Sequence, residues 1–76
     1  MDVIAYILYM KLGNKLKVAR AERDLSQEQL ASLVGVTRQT IISIEKGHYS
    51  PSALLAFQLA DKLHKPVNEL FFLQGE

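Results

Sequence analysis

The sequence predicts an all-α fold, a compact bundle of five helices, and three observations carry that prediction. Apolar residues recur at helical spacing through most of the chain after Met10, cap and stop residues bracket each periodic run, and a glycine divides the most regular run into two short helices. A chain of 76 residues without cysteine makes one domain around a single small core, with neither a disulfide framework nor a thiolate zinc site.

The elements follow in order. The first ten residues, MDVIAYILYM, are apolar but too short to span a bilayer, and they lack a basic leader and a cleavage-like run of small residues. A cytoplasmic protein with no membrane partner is therefore the expectation. The Val, Ile and Tyr content of Val3 to Met10 favours a short N-terminal strand or extension. Helix one is expected from about Asn14 to Arg23, with Leu16 and Ala19 facing inward. Helices two and three occupy Gln27 to Lys46. Ser50 and Pro51 open helix four, with Ser50 or Ser52 as its cap. Along it Leu55, Ala56, Leu59, Ala60 and Leu63 repeat with helical period and close the core from behind. A last short helix from about Pro66 to Phe72 brings Val67, Leu70 and Phe71 against the same core. No sheet is expected among these five helices.

The stretch Gln27 to Lys46, QEQLASLVGVTRQTIISIEK, is the most informative. Leu30 and Val34 lie four apart on one helical face, Ile41 and Ile44 lie three apart on another, and Val36 sits in the connection. Two helices with one apolar stripe each and about three residues between them must fold back on one another. Ser26, with Gln29 three residues on, reads as a capping box, so the first helix starts at Gln27. Gly35 follows the last periodic residue, where a left-handed backbone is cheap only for glycine. Thr37 stands before Arg38 as a second cap, and Gly47 supplies the stop after Lys46. Ala31 falls where the two helices cross steeply, and a large side chain there would hold them apart.

This stretch and its flanks resemble the DNA-binding domain of regulators of the Cro and lambda-repressor type, often called the XRE family. The resemblance covers roughly Leu12 to Leu73 and continues through the connection GHYSPS into the helix after it. It implies a lambda-repressor-like orthogonal bundle, double-stranded DNA as partner, and no cofactor or metal. Residues 11–76 would form the helix-turn-helix DNA-binding domain, with 1–10 as an apolar extension. Net charge is only +1, but from Lys11 to His48 there are seven basic residues against four acidic ones. That polarity supports the motif, although by itself it describes a solvated face equally well.

At about 100° per residue, Ile41, Ile44 and Glu45 cluster on one side of the second motif helix. Gln39, Ile42, Ser43 and Lys46 cluster on the other, which is free to enter a major groove. Arg38 flanks that outward face and is long enough to pair in two places with guanine; Gln39 could pair likewise with adenine, and Ser43 could offer a hydroxyl. The base-reading set is thus Arg38, Gln39, Ile42 and Ser43. Ile42 departs from the common family pattern, which is polar there. It either packs on a thymine methyl or extends a core or neighbour contact. Backbone contacts are expected from Gln27, which begins helix two beside free amides, and from Thr37, Thr40 and Lys46; the resemblance implies that Gln27 also supports the recognition helix. Glu45 falls on the inward side, where an unpaired carboxylate is expensive, so it needs a cation. The resemblance supplies Arg20, in a pair joining helix one to helix three and orienting the recognition helix.

One such domain reads few base pairs, so a homodimer on an inverted repeat is expected, with half-sites about 34 Å apart. Two apolar segments offer a dimer surface: Ile4, Tyr6 and Leu8 in a strand paired with its equivalent, and Phe71 and Phe72 near the end. The N-terminal run could instead fold on its own domain, or Met10 could be the natural start. An enzyme is not expected, because His48 and His64 are neither at ligand spacing nor beside a nucleophile context, and no small-molecule substrate is evident. The reading is a transcriptional regulator, with repression favoured. The rival is an antitoxin-like module that binds a toxin.

Overall fold

The computed structural model describes residues 2–4 and 11–75. Over residues 11–75, five helices and two short strands follow one another: β1 (Lys11–Asn14), α1 (Leu16–Glu22), α2 (Gln27–Val34), α3 (Arg38–Glu45), α4 (Ala53–Leu63), α5 (Val67–Leu70) and β2 (Phe71–Gln74). The helical bundle matches the expected architecture. The antiparallel pairing of β1 with β2 corrects the expectation of no sheet, and it runs Lys11 with Gln74, Leu12 with Leu73, Gly13 with Phe72 and Asn14 with Phe71.

That ribbon explains two shifted boundaries. Helix α1 begins at Leu16 rather than Asn14 because Asn14 is already in the ladder, and its Oδ1 accepts from the Leu16 N–H at 3.0 Å. Helix α5 stops at Leu70 because Phe71 turns to extended backbone, φ −127° and ψ 142°, and joins β2. The Lys15 N–H donates to the Leu70 carbonyl at 2.9 Å, which ties the start of α1 to the end of α5.

The local signals in the motif operate as chemistry requires. Ser26 Oγ accepts from the Gln29 N–H at 3.0 Å while Gln29 Oε1 accepts from the Ser26 N–H at 2.8 Å, so two free donors of the first turn are satisfied reciprocally. Thr37 caps α3 and Ser52 caps α4, each accepting from the amide three residues on. Pro51 stands outside α4. Gly35 has φ 72° and ψ 32°, and a Cβ there would meet nothing within 4 Å. Gly35→Ala therefore carries only the left-handed backbone penalty, expected at about 1 kcal/mol and readable as a shift in the urea midpoint with an unchanged slope.

The core is built from the apolar stripes of all five helices and the start of β2. Leu16, Ala19, Leu30, Ala31, Ile41, Ile44, Leu55, Leu59, Ala60, Leu63, Leu70 and Phe71 are buried. Leu12, Leu25, Val34, Val36, Ala56 and Val67 pack around them. Ala31, 2 % exposed, fills the closely packed place assigned to a small residue. Burial of Phe71 at 8 % corrects its assignment to a dimer surface, because the turn into β2 points this ring into its own domain. Phe72 remains partly exposed. At the N-terminus, Val3 and Ile4 have helical backbone and are exposed. Tyr6 and Leu8, and with them most of the expected strand, lie outside the described residues.

Candidate nucleic-acid interface

Helix α3 presents two unlike sides. Ile41 and Ile44 are 0 % and 1 % exposed and anchor it in the core. Arg38, Gln39 and Lys46 are exposed, whereas Ile42, Ser43 and Thr40 are half-buried. The half-burial of Ile42 means that its side chain is shared between solvent and neighbours rather than lost to the core.

Three side chains hold this helix from behind. Arg20, on α1, donates from Nε to Glu45 Oε2 at 2.9 Å and from Nη2 to Oε1 at 3.4 Å, a forked contact that fixes orientation as well as distance. Its Nη1 donates to the Leu25 carbonyl at 2.8 Å, so the same guanidinium braces the turn between α1 and α2. Gln27 donates from Nε2 to Glu45 Oε1 at 3.0 Å. Asn14 donates from Nδ2 to the Ile44 carbonyl at 2.9 Å, a second donor to a carbonyl at the end of α3 that also accepts from the Gly47 N–H at 3.0 Å. Only 7 % of the Glu45 side chain is exposed, and both its oxygens are engaged.

Each expected contact residue has a defined place. The Gln27 side-chain amide commits one hydrogen to Glu45, leaving the other, which joins it to the support of α3. A shallow depression lined by Arg20, Ser26, Gln27, Glu28 and Arg38 places Arg38 beside the start of α2. Thr37 and Thr40 have their hydroxyl oxygens 3.0 Å apart, within hydrogen-bond reach of each other. Gln39, Thr40 and Ser43 border a second open groove with Thr37, His48 and Tyr49. Sequence reasoning did not identify Asn14 or Tyr49. Asn14 stood as the first residue of an expected helix, and nothing local signals its contact with Ile44. Tyr49 lies in an aperiodic loop.

Residues 16–70 match the Helix-turn-helix family (HTH_3), which is most of the chain and includes every element from α1 to α5. The chain belongs to this family, as a helix-turn-helix regulator of the Cro/C1, or XRE, type. Among its relatives in the family is an uncharacterized HTH-type transcriptional regulator, MJ0272 of Methanocaldococcus jannaschii, 48 % identical over 86 % of this chain and 98 % of that protein. The cryptic phage CTXphi transcriptional repressor RstR of Vibrio cholerae is 39 % identical over 76 % of this chain and 52 % of its own length. A solved family structure, the restriction-modification controller protein C.AhdI from Aeromonas hydrophila, superposes with a TM-score of 0.68 at 36 % identity, covering 74 % of this chain and 81 % of that one. These relatives are named as regulators rather than enzymes. Among the described residues no helix is long and apolar enough to cross a membrane.

Proposed function

We propose that this family member is a sequence-specific repressor that binds an inverted-repeat operator as a homodimer, with α3 of residues 11–76 in the major groove. The observation that carries the reading is the asymmetry of α3. Its inward side is clamped by Asn14, Arg20 and Gln27, while its outward side offers the side chains of Arg38, Gln39 and Ser43, which make no hydrogen bond or ion pair among the described residues. A rigidly held helix with exposed bidentate side chains is what base-edge recognition requires. Arg38 and Gln39 read bases, with Ser43 and Ile42 one turn further on. Gln27, Thr37, Thr40 and Lys46 contact backbone, and the Arg20–Glu45 pair orients the helix without touching DNA. Repression is the sense suggested by the name of RstR. Two copies are invoked because one domain neutralises too few phosphates for tight binding. Of the apolar residues first assigned to the dimer, Ile4 and Phe72 are exposed.

The purified protein, incubated with a random duplex library at moderate salt, is expected to enrich an inverted repeat whose half-sites lie about one helical turn apart. Enrichment of no sequence by a folded protein would overturn the proposal and move the reading to the binding of a protein partner, the antitoxin-like alternative.

A further inference from the structure

The open groove beside the outward side of α3 has a second wall that base reading does not use. Thr37, Gln39, Thr40 and Ser43 form one side, and His48 and Tyr49 form the other. The loop is fixed against the helix, because the His48 N–H donates to the Ser43 carbonyl at 2.9 Å and Gly47, with φ 77°, makes the turn that permits it. The His48 and Tyr49 side chains are exposed. Thr37 Oγ1 accepts from the Thr40 N–H, and the two threonine hydroxyls pair, which leaves one hydroxyl hydrogen free to donate outward.

The electrostatics of the groove are simple. Among the described residues no carboxylate, lysine or arginine lines it, and Tyr49 is the only titratable group beside His48. Glu45, the acidic residue of α3, faces the other way into Arg20 and Gln27. Hydroxyl and phenol donors around an imidazole, with no competing carboxylate, suit an oxyanion. Histidine is the side chain whose ordinary charge change falls near neutral pH. Resting on the DNA-binding reading, we propose that this groove seats one operator backbone phosphate, with the Tyr49 and threonine hydroxyls donating and the His48 imidazolium supplying charge. The phosphate favours the protonated ring, so binding takes up a proton and affinity rises as pH falls.

His64 provides the internal control. It ends α4 with φ 53° and borders a different groove, lined by Glu22, Arg23, Asp24, Leu63 and Lys65. The test uses the full chain and the duplex recovered by selection, with affinity measured by fluorescence anisotropy across about 50–200 mM salt at about pH 5.5 and about pH 8. Helical circular dichroism checks folding at each pH. The slope of log affinity against log salt is expected to steepen at the lower pH by about 0.9 for each His48 engaged. A fourfold rise in salt then weakens binding by a further factor of about 3.5 per contact. His48→Gln is expected to hold the slope at its high-pH value throughout, His64→Gln to respond like the parent, and Tyr49→Phe to weaken binding at both pH values. The inference is overturned if His48→Gln keeps the pH-dependent slope, or if repeating the selection with it changes a base preference, which would make His48 a base reader. A parent protein that binds no duplex at either pH contradicts the DNA-binding reading itself.

Discussion

Arg20→Ala is expected to lower the melting temperature by roughly 12–24 °C, a loss of about 3 kcal/mol in a domain of this size. The cause is what the substitution leaves behind. Glu45, with 7 % of its side chain exposed, would keep only the Gln27 amide as partner, and the Leu25 carbonyl would lose its donor as well. The lower end of the range for a broken buried pair applies because Arg20 itself is 14 % exposed and water can reach part of the site. Adding Glu45→Gln is expected to recover part of the loss, since a neutral amide tolerates the missing cation. A fall of less than about 4 °C for Arg20→Ala, corresponding to under about 1 kcal/mol, would mean that the pair orients α3 without stabilising the fold.

The second large effect separates the two classes of DNA contact. Arg38→Ala is expected to relax preference at one base pair in each half-site, with about 1–3 kcal/mol of discrimination lost there. Lys46→Ala is expected to weaken binding to all sequences about equally and to flatten the salt slope by about 0.9 per protomer. Repeating the duplex selection and the salt titration on each variant reads both quantities. If the two substitutions behave alike, the division between base readers at the start of α3 and a backbone contact at its end is wrong.

What the sequence made legible was what depends on neighbours along the chain. Ser26, Thr37 and Ser52 cap helices through amides three residues away, and Gly35 adopts the left-handed turn that follows a helix; each is a local event with a local signature. The stripes from Leu16 to Leu70 could be read for the same reason, since period alone tells which side is apolar. The ribbon of β1 and β2 could not, because it joins opposite ends of the chain and its strands are too short to show alternation. Phe71 and Phe72 lie within the short apolar run Leu70 to Leu73 and looked like the continuation of a helix, yet pairing with Gly13 and Asn14 turned one ring inward and left the other partly exposed.

The interface divides in the same way. The outward set on α3 follows from a rotation of about 100° per residue, and exposure agrees for Arg38, Gln39 and Lys46. Its supports were partly hidden. Gln27 was assigned a backbone contact and, through the resemblance, support of the recognition helix; the crossing of α2 over α3 brings its amide to Glu45 at 3.0 Å, a partner and a distance that no spacing in the sequence encodes. Asn14 reaches the Ile44 carbonyl across an even longer stretch of chain, and Tyr49 enters the groove only because Gly47 redirects the loop.

The central claim is that DNA is held by the outward side of α3. Its most direct test is a titration of the isotopically labelled protein with the selected duplex, followed through backbone amide resonances. The account predicts perturbations concentrated at residues 37–43 and 46–49 and at Gln27, with α4 and β2 little affected beyond any dimer contact. Perturbations centred on α4, with residues 37–43 unmoved, would contradict it.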